Sequence, residues 1–139
     1  MDREAIKILK NLEKQMSDDL LFENETRSII GAAIEVINTI GHGLLEKPYE
    51  KALAVEFELQ KIPYSRQKCF AVEYKGHLIG EYFPDLVAFD RIIVEVKTVD
   101  KIGGNEIGQM INYLRLARLQ VGLIINFRHS RLEWKRVVA

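Results

Sequence analysis

The spacing of apolar residues changes along this chain, from a helical period to an alternating one and back. In REAIKILKNLEKQM, residues 3–16, Ile6, Ile8, Leu9 and Leu12 fall near one side of a helix. ENETRSIIGAAIEVINTIG continues with Ile29, Ala33, Val36, Ile37 and Ile40 at spacings of three and four, the pattern of a core helix. Gly41 and Gly43 end it. Pro48 suits the first turn of a third helix that carries Tyr49, Leu53 and Phe57 on one face, with Glu46 at its entrance. From residue 65 the period is two. RQKCFAVEY, a Lys75-Gly76 turn, HLIGEYFPDLVAF and RIIVEVKTV predict three consecutive antiparallel strands. Beyond the flexible glycines of GGNEIGQMINYLRLARL, Asn105 is a plausible N-cap for another helix. VGLIINF is the wholly apolar run of a strand covered on both faces, and residues 131–138 add an edge strand.

No repeat, low-complexity tract or linker interrupts this order, and 139 residues with 47% hydrophobic content suit one domain with a real core. The single cysteine, Cys69, excludes an internal disulfide framework, and its place in an alternating run suggests a buried thiol. The charged N-terminus has no leader-like apolar segment and no run is long enough to span a membrane, so a cytoplasmic protein is expected. The net charge is zero, which gives no general attraction to a polyanion. The distribution is uneven, however: residues 61–139 hold 13 Lys and Arg against 8 Asp and Glu.

The strand FPDLVAFDRIIVEVK carries charges where apolar residues dominate. Glu95 and Lys97 share a strand face with Ile93, whereas Ile92, Val94 and Val96 take the other. Both faces are apolar enough to be covered, and an ionised carboxylate there is costly unless it is paired, hydrogen-bonded or metal-bound. Asp85 adds a second carboxylate, and Pro84 before it removes a ladder donor. If the connection centres on Asp90, Asp85 lies opposite Glu95 and both point the same way; a two-residue turn at 90 and 91 would set them on opposite faces. A site therefore requires an odd-numbered connection such as 89–91, or a bulge. Two carboxylates beside a lysine suit a hard divalent cation, with the lysine orienting water or steadying an anion. The plain alternative is a solvated Glu95 and Lys97 pair with Asp85 in a turn.

The string PD, nine residues, then EVK resembles the signature of the PD-(D/E)XK nuclease superfamily. Its restriction-endonuclease-like α/β core has a mixed central sheet, in which three antiparallel strands precede a helix and a further strand, flanked by helices. GLLEKPY, residues 43–49, is similar to the motif of the GxxExxY proteins, a prokaryotic family assigned to that superfamily. The likeness covers about residues 25–127. It implies that Asp85 and Glu95 hold Mg²⁺ or Mn²⁺, helped by the Val96 carbonyl and by Glu46, and that Lys97 serves the attacking water. QMINY resembles the Gln-x-x-x-Tyr element of related nucleases, which implies a role for Gln109, with Tyr113 and Tyr49 in support. Gln109 and Tyr113 stand four apart, on one helical face.

Other candidates are weaker. His42, His77 and His129 lack zinc-type spacing, and Trp134 is better suited to packing than to base stacking. Arg128, Arg131, Lys135 and Arg136 form a basic cluster that could meet phosphates. Two functions from different classes follow. One is a metal-dependent nuclease acting on nucleic acid, with DNA the expected target; the other is a catalytically silent nuclease fold that binds nucleic acid or a protein partner. A homodimer or an accessory protein is compatible with either.

Overall fold

Each helix of this protein is amphipathic, and the sheet gives one face to the second and third helices and the other face to the fourth. The computed structural model describes residues 2–139. The helices are α1 (Arg3–Leu20), α2 (Glu23–Ile40), α3 (Glu46–Leu59) and α4 (Gly104–Ala117). The strands are β1 (Tyr64–Arg66), β2 (Phe70–Tyr74), β3 (His77–Tyr82), β4 (Leu86–Ala88), β5 (Ile92–Lys97), β6 (Val121–Asn126) and β7 (Glu133–Val138). A five-stranded sheet has the order β1-β4-β5-β6-β7, with β5 and β6 parallel and the other pairs antiparallel. The α/β architecture and the edge position of β7 agree with the sequence reading.

Alternation along β5 divides the core. Ile92, Val94 and Val96 pack with Ile29, Ala33, Leu53 and Phe57 of α2 and α3, whereas Ile93 packs with Met110 and Leu114 of α4. Because β5 and β6 run the same way, their connection must cross over the sheet, and α4 is that crossover. The helix comes in close at Gly122, where a Cβ would lie 2.3 Å from the Met110 sulfur.

Four local expectations are corrected. The three-stranded meander is split: β2 and β3 form a separate two-stranded sheet, and β1 and β4 belong to the main one. Pro84 cannot donate to a ladder, so pairing lapses at residues 83–85, and Gln67 at φ 57 turns the chain between β1 and β2. The first helix continues to Leu20, four residues past the expected end, and Asp2 caps its start by accepting from the Ala5 amide at 2.7 Å. α4 begins at Gly104, so Gly103 rather than Asn105 is its N-cap, and the Glu106 carboxylate accepts the Gly103 amide at 3.1 Å. Cys69 is exposed, because residues 67–69 form the link between the two sheets and not a strand interior.

Candidate active site

The β4–β5 connection decides where the carboxylates point. Leu86 pairs with Val94, Val87 with Ile93 and Ala88 with Ile92, a register centred on Asp90. The connection is residues 89–91, with Phe89 and Asp90 both in the left-handed region at φ 57 and 56. Arg91 closes it by donating its amide to the Ala88 carbonyl at 3.0 Å. This odd-numbered turn carries Asp85 and Glu95 to one face of the sheet, where the two carboxyls bond to each other.

Asp85 Oδ2 also accepts the Val96 amide at 2.8 Å, across the gap that Pro84 leaves in the ladder. Glu95 is only 8% exposed, and its Oε1 accepts a short hydrogen bond from the Tyr82 hydroxyl. Burial, then the adjacent Asp85 charge, push the Glu95 pKa up to about 8. Burial raises Asp85 as well, against the lowering effect of the Val96 amide, and the Glu50 charge adds to the rise. The pair therefore holds a proton that isolated carboxylates would have released. Lys97, half-buried at the end of β5, favours ionisation of both without forming an ion pair with either.

α3 contributes through its N-terminus. Gly43 sits at φ 99, a conformation that favours glycine, and Glu46 opens the helix. Tyr49 is fully buried, stacks on Phe127 at 4.5 Å, donates its hydroxyl to the Gly41 carbonyl at 2.8 Å and accepts the Leu44 amide at 3.2 Å. Tyr49 thus pins the loop that delivers Glu46. Burial opposes ionisation of Glu46, but hydrogen bonds to the Thr98 side chain, to its own amide and to the Thr98 backbone, together with the Lys97 charge, outweigh it and lower its pKa. Glu46 consequently faces the Lys97 and Thr98 end of β5.

On the α4 side Tyr113 stacks against Tyr82 with centroids 3.8 Å apart, and burial plus the Glu95 and Asp85 charges raise its pKa. Gln109 lies one turn earlier on the same face, exposed and outside the hydrogen bonds of the site. The basic cluster is dispersed. Arg128 pairs with Asp100 at 3.5 Å, and its neighbour Phe127 donates to the Lys97 carbonyl, so it stands at the Lys97 end of the sheet. Lys135 is in register with Ile124, itself opposite Glu95, and shares that face. Arg131 borders α2 instead. Arg136 turns to the α2 face, where its guanidinium donates to the Asp18 and Leu21 carbonyls, so it is not part of a common phosphate-facing stripe.

Periodicity did not reveal three contributors. Tyr82 ends a strand in the other sheet, and contacts between sheets leave no mark in spacing. Glu50, 6% exposed, pairs with Lys47 at 3.3 Å and Arg66 at 3.5 Å beside Asp85. Its place four residues after Glu46 was a usable signal. Asn126, 1% exposed, joins the Val99 backbone to Glu133, whose carboxylate accepts the Ile102 amide at 2.9 Å. A lone polar residue closing the run VGLIIN could have flagged that support for the loop after Lys97.

The donor set suits a cation with few protein ligands. Asp85 and Glu95 each present an oxygen beyond their bonds to Val96 and Tyr82, and their shared proton marks a place where positive charge is wanted. Among the described residues no group of three or more His, Cys, Asp or Glu forms a closed cage. Two carboxylates plus a carbonyl and water is the type of shell that Mg²⁺ accepts. Among the described residues no helix is long and apolar enough to cross a membrane.

The model of the PD-(D/E)XK nuclease superfamily matches residues 23–137, and so takes in every element from α2 to β6 and all but the last residue of β7. Neither the comparison with curated proteins nor that with solved structures returns a match.

Proposed function

The chain belongs to the PD-(D/E)XK nuclease superfamily, and from that premise we propose that it is a divalent-metal-dependent nuclease that hydrolyses phosphodiester bonds of nucleic acid, DNA in the first instance. The observation that carries the reading is the Asp85 and Glu95 pair, turned to one face beside Lys97 and holding a proton at neutral pH. A solvated surface pair would not leave Glu95 only 8% exposed. The segment 43–49 supports placement among the GxxExxY proteins, since every motif residue serves a physical purpose there. Gly43 makes the turn, Glu46 opens the helix and Tyr49 clasps the loop.

Asp85 and Glu95, with the Val96 carbonyl, would hold Mg²⁺ or Mn²⁺, and Glu46 stands close enough to Lys97 to act through water. When bound, the cation supplies charge neutralisation and acidifies water. The chain's own residues do the rest. The Val96 amide fixes the Asp85 carboxylate and Tyr82 fixes that of Glu95, so neither rotates when the proton leaves. Lys97 orients the attacking water and balances charge that builds on the phosphate. Tyr113 borders the approach from α4, Gln109 one turn earlier would extend that border, and Arg128 and Lys135 would meet a backbone phosphate passing there.

The test is cleavage of single- and double-stranded DNA and RNA with Mg²⁺ or Mn²⁺ against EDTA, for wild type and Lys97→Ala. The expected result is metal-dependent cleavage that Lys97→Ala lowers at least about 100-fold, with binding in Ca²⁺ nearly unchanged. Wild type that cuts none of these substrates, yet binds them as tightly as the variant, would give the protein a binding role instead.

A further inference from the structure

The first helix and the face around Trp134 are both apolar and both uncovered. On α1, Leu9, Leu12 and Met16 recur at spacings of three and four with Ile8 beside them, and they are 44, 51, 64 and 52% exposed respectively. Among the described residues no α1 side chain enters either core cluster. An 18-residue amphipathic helix draws most of its stability from packing its apolar face, so this stripe implies an occupant.

Between α2 and β7 runs a trough of two lobes, about 420 and 440 Å³, which share Ile34 and Trp134. Ile34 is 43% and Trp134 45% exposed. Glu13 and Gln15 border the α1 stripe on its two sides, so the apolar surface has polar margins.

We infer that two copies of this chain dimerise by reciprocal docking, the α1 stripe of each lying in the α2/β7 trough of the other. Arg136 lines the trough and also holds the carbonyls at the end of α1, so helix and trough meet at one corner of the molecule. A single two-fold axis at that corner can therefore make both contacts at once. The size is adequate. A helix of this length is about 27 Å long and 10 Å across, and covering half its surface removes roughly 400 Å² from it and a similar area from the trough. With one helix and one trough per copy this comes to about 800 Å² per partner, the size of a stable interface. Dimerisation of this kind does not depend on the chemistry at Asp85 and Glu95.

Sedimentation equilibrium on the full chain, with the fluorescence of Trp134 as the only tryptophan signal, tests it. Wild type should be a dimer at micromolar concentration, with emission that moves to shorter wavelength as dimer forms. Leu12→Asp on the helix and Ile34→Asp in the trough should each weaken association at least about 100-fold and abolish the shift. Both positions are exposed, so circular dichroism and the Mg²⁺ response of the cleft should stay those of wild type. Mixed together, the two variants should form a mixed dimer, because one intact helix still meets one intact trough. A wild type that stays monomeric overturns the inference. So does an Ile34→Asp variant as dimeric as wild type, which would mean that α1 pairs with α1. A shielded Trp134 that does not respond to concentration would mean that α1 docks on its own chain, and would overturn it equally.

Discussion

Replacing Glu95 by glutamine should make the metal-free protein more stable, and the gain should grow with pH. The ordinary pKa of this carboxyl is 4.5, and in the folded chain it is pushed to about 8. Below the lower value both folded and unfolded chains keep the proton, and the group contributes no pH dependence. Between the two values the unfolded chain releases the proton while the fold retains it, so stability falls with rising pH at about 1.4 kcal/mol per unit. Above about 8 the fall is complete, having removed roughly 3–5 kcal/mol. Glu95→Gln preserves shape and the acceptor for Tyr82, and its amide can donate to Asp85 as the Glu95 proton does. It has no charge to bury. Thermal unfolding in EDTA should therefore show the variant melting near wild type at pH 5 and on the order of 10 °C higher at pH 8. Added Mn²⁺ should narrow that difference by stabilising wild type alone. A variant that melts no higher than wild type at pH 8, or a difference that is the same at pH 5 and 8, would refute the account of a proton trapped by burial.

Other expectations follow from the same contacts. Asp85→Asn keeps an acceptor for the Val96 amide but removes a charge, so the rise in melting temperature with millimolar Mg²⁺ or Mn²⁺ should disappear; calorimetry showing an undiminished rise would count against Asp85 as a ligand. Tyr82→Phe retains the stack on Tyr113 but loses the hydrogen bond that lowers the Glu95 pKa, so the pH midpoint of Mn²⁺ binding should move upward in isothermal titrations; an unmoved midpoint would deny Tyr82 a positioning role. Gly122→Ala drives a methyl group against Met110, which is 1% exposed, and should cost about 1–3 kcal/mol in urea unfolding, with a value near zero showing that α4 can move away. Lys135→Ala should weaken DNA binding and reduce its salt dependence by about one counterion if that face follows the backbone, whereas Arg136→Ala should act on the attachment of α1 instead.

Much of the fold was legible because side-chain period reports burial directly. The stripes of α2 and α3, the double-sided apolar run of β6 and the alternation of β5 each state which faces are covered, and the helices and strands lie where those stripes placed them. The sequence by itself also determined which residue types could carry chemistry: acids at 46, 85 and 95 and a lysine at 97, at spacings that a random surface rarely presents in company. Spacing left their convergence open, since a turn of two residues and one of three follow equally well from FDR. Tertiary structure decided for three, with the Phe89 amide held by the Pro63 carbonyl at 2.8 Å and two consecutive non-glycine residues in the left-handed region. It also decided that one sequence-continuous meander would become two sheets, because Pro84 ends pairing and frees the Val96 amide for Asp85. Tyr82 reaches Glu95 across that break. Periodicity encodes which side of an element is buried. It does not encode which distant residue will be buried against it, and the proton shared by Asp85 and Glu95 depends on that second fact.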